Sequence, residues 1–190
     1  MTGAILSGGK SRRMGKDKAF IPVDGAAIIE RALAVFREVF DDVIIIANDI
    51  PSYERLSTPV FADIIQGGGS LGGIYTALIH SKTANVFVAA CDMPFLDASA
   101  IKKITGTGGT YDAVVPFIDG RFHPMHAMYS KRCLPVMEDM IKSGDLKIHD
   151  LLEKVRVKKL TLDDFGAIPI ERSVANINTP DELGKITGEK

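Results

Sequence analysis

The chain has 190 residues, 46% hydrophobic and 25% charged, with a formal net charge of −1. That length suits one domain, residues 1–190, with its own core, and the charge balance gives no global pull toward nucleic acid or an anionic membrane. Two cysteines are too few for a disulfide framework or a zinc site. No apolar run approaches the roughly 20 residues that cross a bilayer, and the N-terminus lacks the ordered regions of a secretory signal. The chain therefore reads as a reduced, cytoplasmic protein.

Short apolar runs alternate with amphipathic segments, the pattern of an α/β protein. Gly3–Leu6 reads as a first strand, cut off by Ser7-Gly8-Gly9. Lys10, Arg12, Arg13, Lys16 and Lys18 then place five cations in nine residues. Glycines directly after a strand let the backbone turn sharply and approach a ligand. Exposed backbone N–H groups with fixed cations form a polyphosphate receptor. The same residues could make a solvated basic turn, but ligands of open α/β sheets sit at the carboxyl ends of strands, where this loop begins. It is not a Walker loop: that pattern wants a glycine five residues before the Gly-Lys pair, and those positions hold Ala4 and Lys10.

Residues 26–41 read as a helix, with Ile28, Ile29, Ala32, Leu33, Phe36, Val39 and Phe40 on one face. Val43–Ala47, Val60–Ala62 and Val86–Cys91 are unalternated apolar runs, as in parallel strands covered on both faces. Cys91 counts there as a small core residue. Asn48 and Asp63 follow the first two runs and point into one crevice if the sheet is parallel; Asn48 equally suits a turn. A carboxylate can pair with guanine N1–H and its N2 amino group, so Asp63 is a candidate for base or ribose. Gly67-x-Gly69-x-x-Gly72, with Asp92 about 20 residues on, formally matches a dinucleotide fingerprint. Against it, Asp63-Ile64-Ile65-Gln66 separates the glycines from their strand, and the first basic loop would have no role. Leu71–Ser81 reads instead as a crossover helix.

Asp92 closes an apolar strand, well placed for the crevice, and a hard carboxylate suits Mg²⁺ beside substrate phosphates. A turn aspartate before Pro94 is the competing reading. Asp97 caps a helix through Ile104. Ala113–Ile118 and Met125–Tyr129 read as strands around an Asp119-Gly120 turn. Alternation over Phe122–Tyr129 puts His123 and His126 on opposite sides, and isolated histidines of this kind are more often structural than catalytic. Ser130 caps a helix with Leu134, Met137, Met140 and Ile141 inward, a methionine spacing read as core. Asn176-Ile177-Asn178 precedes Thr179-Pro180-Asp181-Glu182, a capping box with proline at N1.

Leu6-Ser7-Gly8-Gly9, Arg13, Lys18, Gly69–Ile74, Cys91-Asp92-Met93-Pro94-Phe95 and Asn176–Thr179 together resemble the nucleotidyltransferases that activate sugars, pterins and alcohols with nucleoside triphosphates. In wording, Arg13-Met14-Gly15 and Asp17-Lys18-Ala19 are similar to the molybdenum cofactor guanylyltransferases. Two departures stand out: Ser7 replaces a common alanine, and Gln66-Gly67-Gly68 replaces a proline-containing form. The resemblance implies a Rossmann-like nucleotidyltransferase fold, a mostly parallel twisted sheet flanked by helices. It implies that Leu6, Ser7, Gly8, Gly9, Lys18, Asn48, Asp63 and Asp92 contact GTP, and that Arg13, Lys18 and Asp92 carry catalysis with Mg²⁺ on Asp92. Gly72, Gly73, Asn176 and Asn178 would face the acceptor, near which the family also has a His-Pro pair like His123-Pro124. The implied reaction moves GMP from GTP to the terminal phosphate of molybdopterin, with transient contact to proteins that supply the pterin or accept the cofactor. A transferase using CTP, or acting on a sugar or alcohol phosphate, would share the fold. A non-catalytic nucleotide-binding adaptor is the reading from a different class.

Overall fold

The computed structural model describes residues 1–7, 18–107 and 109–177. Gly8, Gly9, Arg13, Asn178 and the Thr179–Glu182 capping box lie outside the described residues. Strand β1 (Thr2–Ser7) is buried along its whole length, and its neighbours are built from the apolar runs. In chain order come β2 (Pro22–Val23), β3 (Ala26–Ala27), α1 (Ile28–Val39), β4 (Asp42–Ala47), β5 (Val60–Phe61), α2 (Gly69–His80), β6 (Asn85–Ala90) and α3 (Ala98–Gly106). After them follow β7 (Ala113–Ile118), β8 (Arg121–Phe122), β9 (His126–Ser130), α4 (Leu134–Ser143), α5 (Ile148–Lys154), β10 (Val157–Leu160), α6 (Leu162–Phe165) and α7 (Ile170–Ser173).

One sheet runs β10-β7-β9-β6-β1-β4-β5, with β8 paired to β7. The β5-β4-β1-β6 half is parallel, β9 is antiparallel to both neighbours, and β10 is parallel to β7. The chain leaves β1 toward β4 and β5, then returns to β6 on the other side of β1. This reversal opens a crevice beyond the carboxyl ends of β1 and β6, the usual ligand position in such sheets.

Alternate residues of each strand feed two cores. Ile5, Ile45, Phe87 and Met128 pack with α1, α3 and α7 on one face. Leu6, Ile46, Val88 and Tyr129 pack with α2, α4 and α5 on the other. Burial on both faces is why the central strands show no polar alternation. Met137 and Met140 are buried in the second core, as their spacing predicts.

Local chemistry sets the element ends. Asp97 caps α3 by accepting from Ala100 N–H at 2.9 Å. Ser130 accepts from Arg132 N–H, capping the 3-10 turn that leads into α4, and Gly144 ends α4 at φ 78°. Asp119 and Gly120, at φ 51° and 74°, form the left-handed pair that a two-residue hairpin needs. Asp24 and Gly25, at φ 49° and 84°, do the same between β2 and β3. The helix expected over 26–41 is therefore shorter: Ala26 and Ala27 belong to this hairpin, and Phe40 is extended after the last turn.

Candidate nucleotide site

Four strand ends converge on the crevice. Leu6 and Ser7 finish β1, Asn48 follows β4, Asp63 follows β5 and Asp92 follows β6. Asn48 and Asp63 meet directly: Asn48 Nδ2 donates to Asp63 Oδ2 at 3.2 Å, and Asp63 N–H donates to Asn48 Oδ1 at 3.0 Å. The parallel pairing of β4 and β5 brings them together, as the sequence pattern anticipates. Asp63 Oδ1 stays buried with no hydrogen-bond partner among the described residues. Burial raises this carboxyl above its ordinary value, and the Asn48 hydrogen bond offsets part of the rise.

Gly73 lies in α2, where an added Cβ would stand 3.4 Å from Leu6 Cδ1 and 3.8 Å from Asp63 Oδ1. The first turns of α2 are thus seated against Leu6 and Asp63, two residues that the resemblance gives to the nucleotide. Gly72 faces the loop before the helix, with Ile65 O at 3.1 Å from such a Cβ. The Ser7 hydroxyl turns inward to a hydrogen bond with Tyr53. Tyr53 is fully buried in the turn spanning Ile50–Leu56; no sequence spacing links it to Ser7.

Asp92 sits one residue beyond Cys91, whose N–H donates to Leu6 O at 3.0 Å. Cys91 is half-buried at the strand end, outside the interior position expected for it. Asp92 Oδ1 is buried without a hydrogen-bond partner among the described residues. Burial raises the Asp92 carboxyl above its ordinary value; the Lys18 ammonium and a backbone hydrogen bond pull it part of the way back. Lys18 lies in the 3-10 turn Lys18–Phe20, close enough to act electrostatically on Asp92 across 74 positions of chain. The C-terminal arm reaches the same place: Ile177 N–H donates to Asp92 O at 2.9 Å, and exposed Asn176 precedes it.

The histidines differ from the alternation expected of them. A turn spans His123–His126, with His126 N–H donating to His123 O at 3.0 Å, so β9 starts only at His126 and Met125 falls outside it. His126 is fully buried, edge-on to Phe87 and 3.3 Å from Ser173 Oγ. Burial, helped by His123, pushes its imidazole down to about 3. Full burial makes His126 part of the core packing around Phe87 and Ser173.

No group of three or more metal-ligating side chains occurs among the described residues, and none of their helices is long and apolar enough to cross a membrane. A crevice at a strand-order reversal, bordered by Gly73 and carrying two partly buried carboxylates with a lysine charge acting on one of them, has the make-up of a nucleotide-binding transferase site. A family model for a MobA-like NTP transferase domain matches residues 3–160. The chain is 38% identical over 185 residues to a probable molybdenum cofactor guanylyltransferase of Pelotomaculum thermopropionicum, covering 97% of this chain and 90% of that one. It is 37% identical over 188 residues to the molybdenum cofactor guanylyltransferase of Desulfosudis oleivorans, covering 97% and 93%. The crystal structure of molybdopterin-guanine dinucleotide biosynthesis protein A from Archaeoglobus fulgidus superimposes with a TM-score of 0.84 at 30% identity, covering 99% and 97%. The chain belongs to the MobA-like NTP transferase family.

Proposed function

We propose that this chain, acting as one cytoplasmic domain, transfers GMP from GTP to the terminal phosphate of molybdopterin and releases pyrophosphate. The observation that carries the reading is the strand-end carboxylate of Asp92, whose Oδ1 is buried without a hydrogen-bond partner among the described residues, with the Lys18 charge acting on it. A desolvated carboxylate oxygen in a phosphate-binding crevice is stabilised by a cation. The donor set fits Mg²⁺, which takes one or two carboxylates and fills its remaining positions with water and substrate phosphates. Asp92 would hold it, and when bound it supplies charge neutralisation at the phosphates.

The protein's own groups do the rest by positioning. Lys18, with Arg13 of the N-terminal glycine-rich motif, holds the triphosphate. Leu6, Ser7, Gly8 and Gly9 lie along the nucleotide, and the Asn48–Asp63 pair takes the base or ribose. Gly72, Asn176 and Asn178 face the acceptor, while Gly73, beside Leu6 and Asp63, borders the nucleotide. The acceptor phosphate is already ionised near neutrality, so no general base is required. Its oxygen forms the bond to the α-phosphorus as the bond to the bridging oxygen breaks, and that electron pair leaves with pyrophosphate. Catalysis of this kind rests on orientation and charge placement.

The test is Asp92→Asn, which removes the charge at nearly constant size. With GTP, molybdopterin and Mg²⁺, this variant keeps its melting transition and loses pyrophosphate release. Wild-type turnover in the variant at ordinary Mg²⁺ concentrations overturns the metal assignment.

A further inference from the structure

Arg31 lies on α1, outside every motif of the crevice, yet its guanidinium joins two segments that carry functional residues. Its Nε donates to Pro94 O at 3.2 Å, and its Nη1 donates to Val23 O at 3.3 Å. Nη1 also stands 3.4 Å from the Asp24 carboxylate. Pro94 is two residues beyond Asp92. Val23 belongs to the hairpin that follows the Lys18 turn directly, and Ile21 N–H donates to Lys18 O at 3.1 Å.

Phe95 completes the junction. It packs with Val23 and Ile28 in a small cluster apart from the two main cores. The Arg31 guanidinium lies 5.9 Å from its ring centroid and that of Arg172 lies 4.4 Å away. Arg172 is on α7, whose chain continues to Asn176 and the Ile177–Asp92 hydrogen bond. Neither Arg31 acceptor is part of α1, so the side chain does nothing for its own helix that a lysine could not do. A planar fork can bond two carbonyls at once, whereas an ammonium is a single point charge.

We propose that Arg31 is a positioning residue that fixes the spacing between Lys18 and Asp92, a role that rests on reading these two as phosphate and metal ligands. It touches neither substrate nor metal and acts through the Pro94 and Val23 carbonyls. Misplacing a reacting group by about an ångström can cost on the order of a hundredfold in rate, which sets the scale of its leverage.

The experiment compares wild type, Arg31→Lys, Asp92→Asn and the double variant. Mn²⁺ serves as the probe, with its uptake in the presence of GTP followed by electron paramagnetic resonance, alongside GMP binding without metal and steady-state kinetics. In Arg31→Lys, half-saturation by Mn²⁺ rises roughly tenfold, as for loss of one charge-assisted hydrogen bond. The value of kcat falls more than KM for GTP rises, and GMP binding without metal is unchanged. In the Asp92→Asn background, Arg31→Lys adds nothing further, because coupled residues are not additive. Wild-type Mn²⁺ dependence in Arg31→Lys, equal losses for GMP and Mn²⁺-GTP, or additive effects would overturn the proposal. Arg31→Gln, whose amide reaches only one carbonyl, replaces the lysine form should that fail to fold. Wild-type protein that takes up no Mn²⁺ with GTP would instead sink the metal reading itself.

Discussion

Gly73→Ala should make the protein more stable and a poorer binder of GTP. Glycine inside a helix costs about 0.5–1 kcal/mol relative to alanine, and Gly73 lies within α2. The methyl group has room: its nearest neighbours would be Leu6 Cδ1 at 3.4 Å and Asp63 Oδ1 at 3.8 Å, both ordinary contacts. Recovering the propensity term alone should raise the melting temperature by about 1–4 °C in a chain of this length. The same methyl stands between Leu6 and the unpartnered Asp63 oxygen, where the nucleotide is assigned. Crowding a packed contact by one methyl group costs about 1–3 kcal/mol, or roughly five- to 150-fold in Kd. Thermal melting without ligand and calorimetric titration with Mg²⁺-GTP read the two effects separately. A higher melting temperature with unchanged GTP affinity would show that the glycine is not kept for the ligand. A lower one would refute the packing argument. Gly72→Ala gives the contrast, because its methyl would press on Ile65 O at 3.1 Å and should not stabilise.

Lys18→Ala should weaken GTP by about ten- to a hundredfold and GMP much less, the loss expected when one charge-assisted hydrogen bond to phosphate is removed; equal losses by calorimetry would place Lys18 elsewhere. Asp112 accepts from Arg132 Nε at 2.7 Å, Arg156 Nε at 3.2 Å and Arg156 N–H at 3.0 Å. Burial alone would raise this carboxyl, but the hydrogen bonds outweigh it and hold it at about 2. Because the folded value is depressed, its stabilisation is complete above the ordinary value of 3.8 and is lost as pH falls from there through about 2. Asp112→Asn should flatten the acid limb of a plot of urea midpoint against pH; an unchanged limb would contradict this.

Most of the parallel half of the sheet was legible because its strands are buried on both faces and read as unbroken apolar runs. The shared crevice of Asn48 and Asp63 followed from that inference, since parallel strands bring both carboxyl ends to one edge, but the hydrogen bonds between them did not. The hairpin at Asp24-Gly25 carried the same dipeptide signal as Asp119-Gly120, but its flanking strands are two residues each and sit beside a strong helical pattern. That periodicity absorbed Ala26 and Ala27. Residues 144–175 mix charge and short apolar groups without a period, so α5, β10, α6 and α7 take their order from tertiary packing. Tyr53 with Ser7, His126 with Ser173, and Arg31 with Pro94 are contacts between distant segments, which one sequence cannot pair.

Guanylyl transfer itself is tested most directly by following the two ends of the triphosphate. The protein is incubated with Mg²⁺, molybdopterin and GTP labelled in one reaction at the α-phosphate and in a second at the γ-phosphate. The account predicts that the α-label appears in the pterin dinucleotide while the γ-label leaves as pyrophosphate, both only with acceptor present. Release of the γ-label as inorganic phosphate, with no α-label on the pterin, would contradict it.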